Sequence, residues 1–362
     1  MLKLATIFSG IGAIEQALHK MGIPYDIMFA CDNGERELKM DYETIMRNTY
    51  GMNKKDIKNY IDNLYDGTGK TNYVEKSYLA NYNIDYKNYF QDVRFLDGKD
   101  FTSNVDLFVG GSPCQSFSIS GKRLGLSDTR GTLFYEFARL VDEIRPRVFI
   151  YENVPGMLSH DNGETWDVIS SIFESLGYKW KLHKLCAMDF GIPQNRTRIF
   201  VVGFKSDLKI DPNLKIVGKK LDKTVRDFLE TDVPLKYYHG EKGFKWITKP
   251  LSLKKRVSIN ADIARTQAAN QQFNWCGDMI FEEYDADVIY DERVFIGEYN
   301  GMRGVARKLT PRECLRLMGF SDDFKIVVPD QQMYRQCGNS IVVDILEAII
   351  TAIINTGVFS DE

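Results

Sequence analysis

The sequence predicts an α/β fold followed by a smaller, irregular domain. Apolar runs that stop at a glycine or a carboxylate recur through residues 1–205, and the chain opens with a strand, a glycine turn and a helix. That rhythm stops over residues 206–305, where polar, basic and acidic blocks take over. Continuous apolar runs indicate strands buried on both faces, as parallel sheets require.

Residues 2–8 read as the first strand, followed by the turn Ser9-Gly10-Ile11-Gly12 and a helix with apolar residues at Ile11, Ile14, Leu18 and Met21. A glycine turn there lets a ligand approach the backbone, a feature shared by many Rossmann-like nucleotide sites. Residues 25–31 form a second strand ending at Asp32, where an acid can accept hydrogen bonds from a ribose. Residues 50–89, rich in Tyr, Asn, Lys and Asp and broken by Gly67-Thr68-Gly69, read as a surface insertion. Its aromatics are expected to pack on one another rather than stack on bases.

The run Val105-Asp106-Leu107-Phe108-Val109 ends in Gly110-Gly111 and reads as a buried strand. It puts Ser112-Pro113-Cys114-Gln115 just past a strand's carboxyl end, where open α/β sheets carry working residues. A thiol in that place is either an inert core residue or a nucleophile. Arg147-Val148-Phe149-Ile150-Tyr151 reads as another strand and ends in Glu152-Asn153-Val154; Gln194-Asn195-Arg196-Thr197-Arg198 leads into a strand at 199–204. A carboxyl in an apolar pocket can work as an acid, and arginine is a permanent cation with a forked donor set. Farther on, Thr310 is predicted to cap a helix with Pro311 at its first position and Glu313 completing a capping box. Residues 338–356 return to an apolar helix.

The whole motif set, in order, resembles the cytosine-5 DNA methyltransferases. It comprises Phe8-Ser9-Gly10-Ile11-Gly12, Pro113-Cys114-Gln115, Glu152-Asn153-Val154, Gln194-x-Arg196-x-Arg198, Arg307-Lys308-Leu309-Thr310-Pro311-Arg312-Glu313 and Gly338-Asn339-Ser340. Stretches between the motifs, such as Asp128-Thr129-Arg130-Gly131-Thr132-Leu133-Phe134, are similar to bacterial members of the family. The resemblance spans about 1–50, 90–205 and 305–357. It implies a Rossmann-like, S-adenosylmethionine-dependent methyltransferase domain over 1–205, completed by 335–362, with a target recognition domain and hinge over 206–334 and the insertion 50–89 within the first.

By the same resemblance, Cys114 attacks carbon 6 of cytosine, Glu152 protonates or hydrogen-bonds ring nitrogen 3, and Arg198 holds the base. Arg196 is implied as support or a phosphate contact. The loop 116–132 is implied as a lid, with Ser120 approaching the space left by a flipped-out base. Phe8, Gly10, Gly12, Asp32, Asp92, Val93, Pro113, Leu133, Asn339 and Ser340 match positions lining the methyl donor; Asp32 replaces the family's usual Glu. The implied partner is double-stranded DNA, with a cognate restriction endonuclease in the same system, and the chain is expected to act as a monomer. A tRNA cytosine methyltransferase would keep the same catalytic set. A catalytically inactive DNA-binding homologue is the non-enzymatic alternative.

Bulk properties accord with this. A chain of 362 residues allows two domains, and 44% hydrophobic residues supports a full core. No signal peptide or membrane-spanning run is expected, and six cysteines with no CxxC pair suit a reducing cytoplasm and no metal. Net charge is only −3, but residues 209–265 carry fourteen Lys and Arg against seven Asp and Glu. Such a patch can neutralise phosphates, and Lys254, Lys255 and Arg256 are its candidate contacts. Arg265 and Gln267, beside Thr266, Asn270, Gln271 and Gln272, are candidate base readers. Residues 278–298, with eight acids and one Arg, are expected to face away from DNA.

Overall fold

The computed structural model describes residues 1–112, 133–273, 275–287 and 290–360. The chain forms two compact units, Met1–Leu185 with Thr197–Val217 and Glu347–Glu362, and Cys186–Arg196 with Gly218–Leu346. The first unit extends to Val217, past the expected end at 205. Residues 335–346, expected to complete the first domain, belong to the second unit.

The first unit is built on seven strands: β1 (Leu2–Ile7), β2 (Tyr25–Cys31), β3 (Tyr89–Phe90), β4 (Leu107–Gly110), β5 (Val148–Asn153), β6 (Tyr178–Cys186) and β7 (Thr197–Lys205). Their order across the sheet is β3-β2-β1-β4-β5-β7-β6. Pairings from β3 to β5 are parallel, whereas β5 and β7 run antiparallel. One rung crosses the sheet through Phe90, Cys31, Ile7, Gly110, Tyr151 and Val201.

Helix α1 (Ala13–Lys20) follows the glycine turn, and α5 (Leu133–Ile144) turns Phe134, Phe137, Ala138, Leu140, Val141 and Ile144 into the core. That i, i+3, i+4 spacing keeps one helix face apolar. Phe108 stacks on Phe137 with ring centroids 5.2 Å apart, and Phe149 stacks on Phe173 of α6 (Glu164–Ser175) at 5.4 Å. Each such buried ring stabilises by about 1.5–3 kcal/mol, making this the rigid floor beneath the strand ends.

Residues 50–89 are not a surface loop. They hold α3 (Lys54–Asp66) and α4 (Tyr73–Asn81), which follow α2 (Tyr42–Asn48). Ile61, Tyr65, Asn72, Tyr78 and Tyr82 are buried. The tyrosine-rich composition looked solvent-facing, but a tyrosine buries readily once its hydroxyl finds a partner.

The second unit contains a four-stranded sheet, so it is more regular than its composition suggests. Its strands β8 (Val257–Ile259), β9 (Gly277–Glu283), β10 (Gly297–Tyr299) and β11 (Met302–Lys308) lie in the order β10-β11-β9-β8. Short helices α7 (Glu241–Ile247) and α8 (Pro250–Lys255) precede it, and Phe244, Ile247, Val257, Met279, Phe281 and Ala306 form its core. Helix α9 (Pro311–Arg316) starts as predicted, with Thr310 as N-cap and a complete capping box to Glu313. The predicted helix over 338–356 divides into α10 (Asp330–Asn339) and α11 (Val343–Ile354). Asp330–Ile354 is long and apolar enough to cross a membrane by composition alone, yet most of its apolar part is buried inside the protein.

Candidate active site

The predicted site residues of the first unit gather one step beyond the Cys31–Ile7–Gly110–Tyr151 rung. Parallel strands in register end together, so Asp32, Phe8, Gly111 and Glu152 emerge along one edge of the sheet. This is the edge at which open α/β folds bind ligands.

At β1, Phe8, Gly10 and Gly12 all take positive φ (52°, 54° and 75°), which turns the chain sharply into α1. The Gly10 N–H donates to Asp32 Oδ2 at 2.9 Å, and the Gly34 N–H donates to Oδ1 at 2.8 Å. Burial pushes the Asp32 carboxyl above its ordinary range, while these two amides pull against it. Among the described residues, a Cβ on Gly10 would have only Phe8 O as a neighbour, at 4.0 Å. A backbone cradle beside an oriented carboxylate fits a ribose-bearing donor.

Asp92 lies at the end of β3. Its carboxylate accepts from Arg94 Nε at 2.9 Å, Arg94 Nη2 at 2.6 Å and the Tyr65 hydroxyl at 2.9 Å. Val93 is buried behind it, and Leu133 is a half-buried residue against the main core.

Glu152 and Arg198 meet on neighbouring strands, with Arg198 Nε 3.2 Å from Glu152 Oε1 and each side chain 15% exposed. Glu152 pairs across the ladder with Phe200, so Arg198, two residues earlier on β7, reaches the same sheet face. Gly111 leaves room for the pair, since a Cβ there would come within 2.9 Å of Glu152 Oε2 and 3.0 Å of Glu152 O. Asn153 Nδ2 donates to Ser112 O at 3.0 Å, and the Ser112 and Tyr151 hydroxyls are 2.7 Å apart. These bonds hold the backbone that leads into Pro113. Pro113, Cys114, Ser120 and the predicted lid 116–132 lie outside the described residues.

In the second unit, several expectations change. Arg196 is 2% exposed and donates to Gln267 O at 2.7 Å, Gly338 O at 3.0 Å and Ser340 O at 2.6 Å. These bonds make it a clamp on the backbone of residues 267, 338 and 340. Gln267 is no base reader either. It is buried, its Nε2 donates to Cys314 O at 3.2 Å and its Oε1 accepts from Gln271 at 3.0 Å. Gln271 and Gln272 are buried with it. Arg265 is exposed; its N–H is held by Asp278, whose carboxyl burial pushes up to about 6. Lys254, Lys255 and Arg256 are exposed at the end of α8. Asn339 ends α10 exposed, with the buried Ser340 as its C-cap.

Sequence reasoning missed Glu15, Tyr65, Asn72, Tyr78 and Tyr82. Glu15 in α1 is fully buried; Tyr78 OH donates to its Oε1 at 2.5 Å, and its Oε2 has no hydrogen-bond partner among the described residues. Burial pushes its carboxyl up to about 7. No local pattern marks these residues, since their partners lie up to 71 positions away.

Residues 48–355 match the family model of C-5 cytosine-specific DNA methylases. The type II methyltransferase M.SsoII of Shigella sonnei is 36% identical over 293 residues, covering 78% of this chain and 72% of that protein. The type II methyltransferase M.HhaI of Haemophilus parahaemolyticus is 34% identical over 257 residues, covering 67% and 74%. Among solved structures, the S. pombe Dnmt2 methyltransferase superposes with a TM-score of 0.63 at 18% identity, covering 98% of this chain and 99% of that one.

Proposed function

Because the chain belongs to the C-5 cytosine-specific DNA methylases and is a DNA cytosine-5 methyltransferase, we propose that it methylates a flipped-out cytosine through a covalent Cys114 adduct. The observation that carries this reading is the shared strand edge, where the Glu152–Arg198 pair stands beside the backbone leading to Pro113 and Cys114. S-adenosylmethionine, when bound, supplies an electrophilic methyl group. Phe8, Gly10 and Gly12 of the glycine turn, Asp32 on the ribose hydroxyls, Asp92 and Val93 in the adenine region, and Pro113 and Leu133 beside it would hold it.

Carbon 5 of cytosine is a weak nucleophile. The Cys114 thiolate forms a bond to carbon 6, and the displaced electron pair moves toward ring nitrogen 3. Glu152 hydrogen-bonds or protonates that nitrogen, and Arg198 holds the base and offsets the developing negative charge. Carbon 5 would then take the methyl group from the bound donor, the donor's sulfur keeping the bonding pair; the carbon 5 proton then passes to a base or water, its electron pair re-forms the 5,6 double bond, and the carbon–sulfur bond to Cys114 breaks to return the thiolate. A stacked base cannot be attacked in this way, so the loop 116–132 and Ser120 act on an extrahelical target.

Lys254, Lys255 and Arg256 touch phosphates, and Arg265 reads a base edge. The chain works as a soluble cytoplasmic monomer, protecting sites that a cognate restriction endonuclease cuts. The names of its relatives as type II methyltransferases support that setting.

Incubation with duplexes carrying 5-fluorocytosine tests the adduct. Fluorine cannot leave as a proton does, so wild type should form a covalent complex resistant to denaturant, and Cys114→Ser should not. An enzyme that methylates the unfluorinated site but is never trapped would overturn the covalent route. Labelled methyl transfer to tRNA instead of DNA would overturn the substrate.

A further inference from the structure

We infer that residues 50–89 form part of the methyl-donor site, with Tyr82 and Asn72 as positioning residues for the loops that hold the donor. This rests on the donor-site reading above. Three loops are proposed to line the donor: the turn 8–12, the residues around Asp32, and 91–93. A side chain of this segment reaches each of them. The Tyr82 hydroxyl lies 3.0 Å from Ile11 O and 2.7 Å from Gly12 O. Asn72 Nδ2 donates to Asp32 O at 3.0 Å and to Gln91 Oε1 at 2.9 Å. The Tyr65 hydroxyl donates to Asp92 Oδ2 at 2.9 Å.

These are bonds to the backbone, a carboxylate and a side-chain amide of the binding loops, rather than packing between the inserted helices. A hydroxyl has one proton, so Tyr82 shares it between two carbonyls of the turn. Gly12 O also accepts from Gln16 N at 3.0 Å. The Tyr82 ring lies against the turn so closely that a Cβ on Gly12 would sit 2.1 Å from its Cε2. The left-handed turn is thus shaped by two demands at once, its own φ and the ring beside it. Asn72 has a double role, since its Oδ1 also accepts from Glu75 N at 3.0 Å and caps α4. The start of α4 is thereby tied to the carbonyl of the ribose-binding acid. Pre-set loops lose less conformational freedom on binding, so their anchors act on donor affinity.

The test is Tyr82→Phe in the full chain, which keeps the ring and removes the hydroxyl. S-adenosylmethionine binding is measured by calorimetry, and methyl transfer to DNA free of 5-methylcytosine is measured at varied donor and varied DNA. Losing one neutral hydrogen bond should raise the donor Kd and KM about 5- to 10-fold, with kcat at saturating donor and KM for DNA within about 2-fold. Asn72→Ala should show the same split, and serves if Tyr82→Phe does not fold. A fall in melting temperature with donor Kd and KM unchanged, or a loss in kcat alone, would overturn the inference and leave the segment as packing. A wild-type chain that methylates DNA without binding S-adenosylmethionine would instead overturn the donor-site reading itself.

Discussion

In the first unit, the Glu152 carboxylate meets Arg198 at 3.2 Å, and each side chain is 15% exposed. In the second, Glu313 takes both arms of Arg307 at 2.9 and 3.0 Å, and the two side chains are 0% and 1% exposed. Glu313 also accepts from the N–H groups of Thr310 at 2.8 Å and Glu230 at 3.0 Å. Four donors fill the lone-pair directions of one carboxylate, so nothing remains for a ligand. Arg307 completes its fork on Glu282 at 2.6 Å. The same two functional groups thus serve different ends. Where donors saturate the pair, it joins β11 to the start of α9. Where the pair keeps access to solvent, it can change partners during a reaction.

The contrast predicts opposite failures for one substitution chemistry. Glu152→Gln should keep the fold and its melting temperature while slowing single-turnover methylation ~10²–10⁴-fold, the usual worth of general acid catalysis. The measurement uses saturating DNA, so weakened binding does not enter. An unchanged rate would remove Glu152 from the chemistry and break the contrast from one side.

Glu313→Gln should do the reverse. Removing one partner of a buried pair destabilises by about 3–5 kcal/mol, because the remaining charge stays buried. Urea unfolding reads that loss, while kcat of the folded fraction should hold. A variant of wild-type stability would show that the saturated pair contributes nothing beyond what the capping box already supplies.

Glu15 sharpens the comparison as a third case, a carboxyl that is buried without a charged partner among the described residues. Its folded-state pKa lies near 7, above an ordinary value of 4.5, with burial as the largest cause. A raised acid binds its proton more tightly in the folded state. Its stabilising effect is therefore complete below about pH 4.5 and lost as pH rises toward 7. Glu15→Gln mimics the protonated form. It should match wild type near pH 5 and exceed it at pH 8 by on the order of 3 kcal/mol. Stability curves that run parallel across this range would mean that Glu15 is already ionised, held by a group other than Tyr78 and Thr6.

Which elements could be read from sequence depended on how far their causes lie along the chain. The strand over residues 25–31 and the capping box at Thr310 have the predicted bounds and contacts because their signals are local. Arg196 and Arg198 are two positions apart and look alike in sequence. Yet Arg196 is closed on carbonyls of residues 267, 338 and 340, and no local pattern announces partners 71 to 144 positions away. Gln267 misled for the same reason. Its amide suits adenine, but the fold had already matched it to Cys314 and Gln271.

The sequence by itself determined five of the seven strands in the sheet of the first unit, the order of its motifs and the chemistry that those residue types can perform. Apolar runs, glycine turns and caps act within a few residues, and reactive groups are intrinsic to side chains. Tertiary structure alone decided which charges stay accessible and which are closed off. It also decided that a polar, tyrosine-rich insertion is bonded to the turn at 11–12, to Asp32 and to residues 91–92 rather than standing apart from them. Burial and hydrogen-bond saturation arise only when distant segments meet, and a tyrosine's hydroxyl acquires its role from whichever carbonyl the fold brings to it.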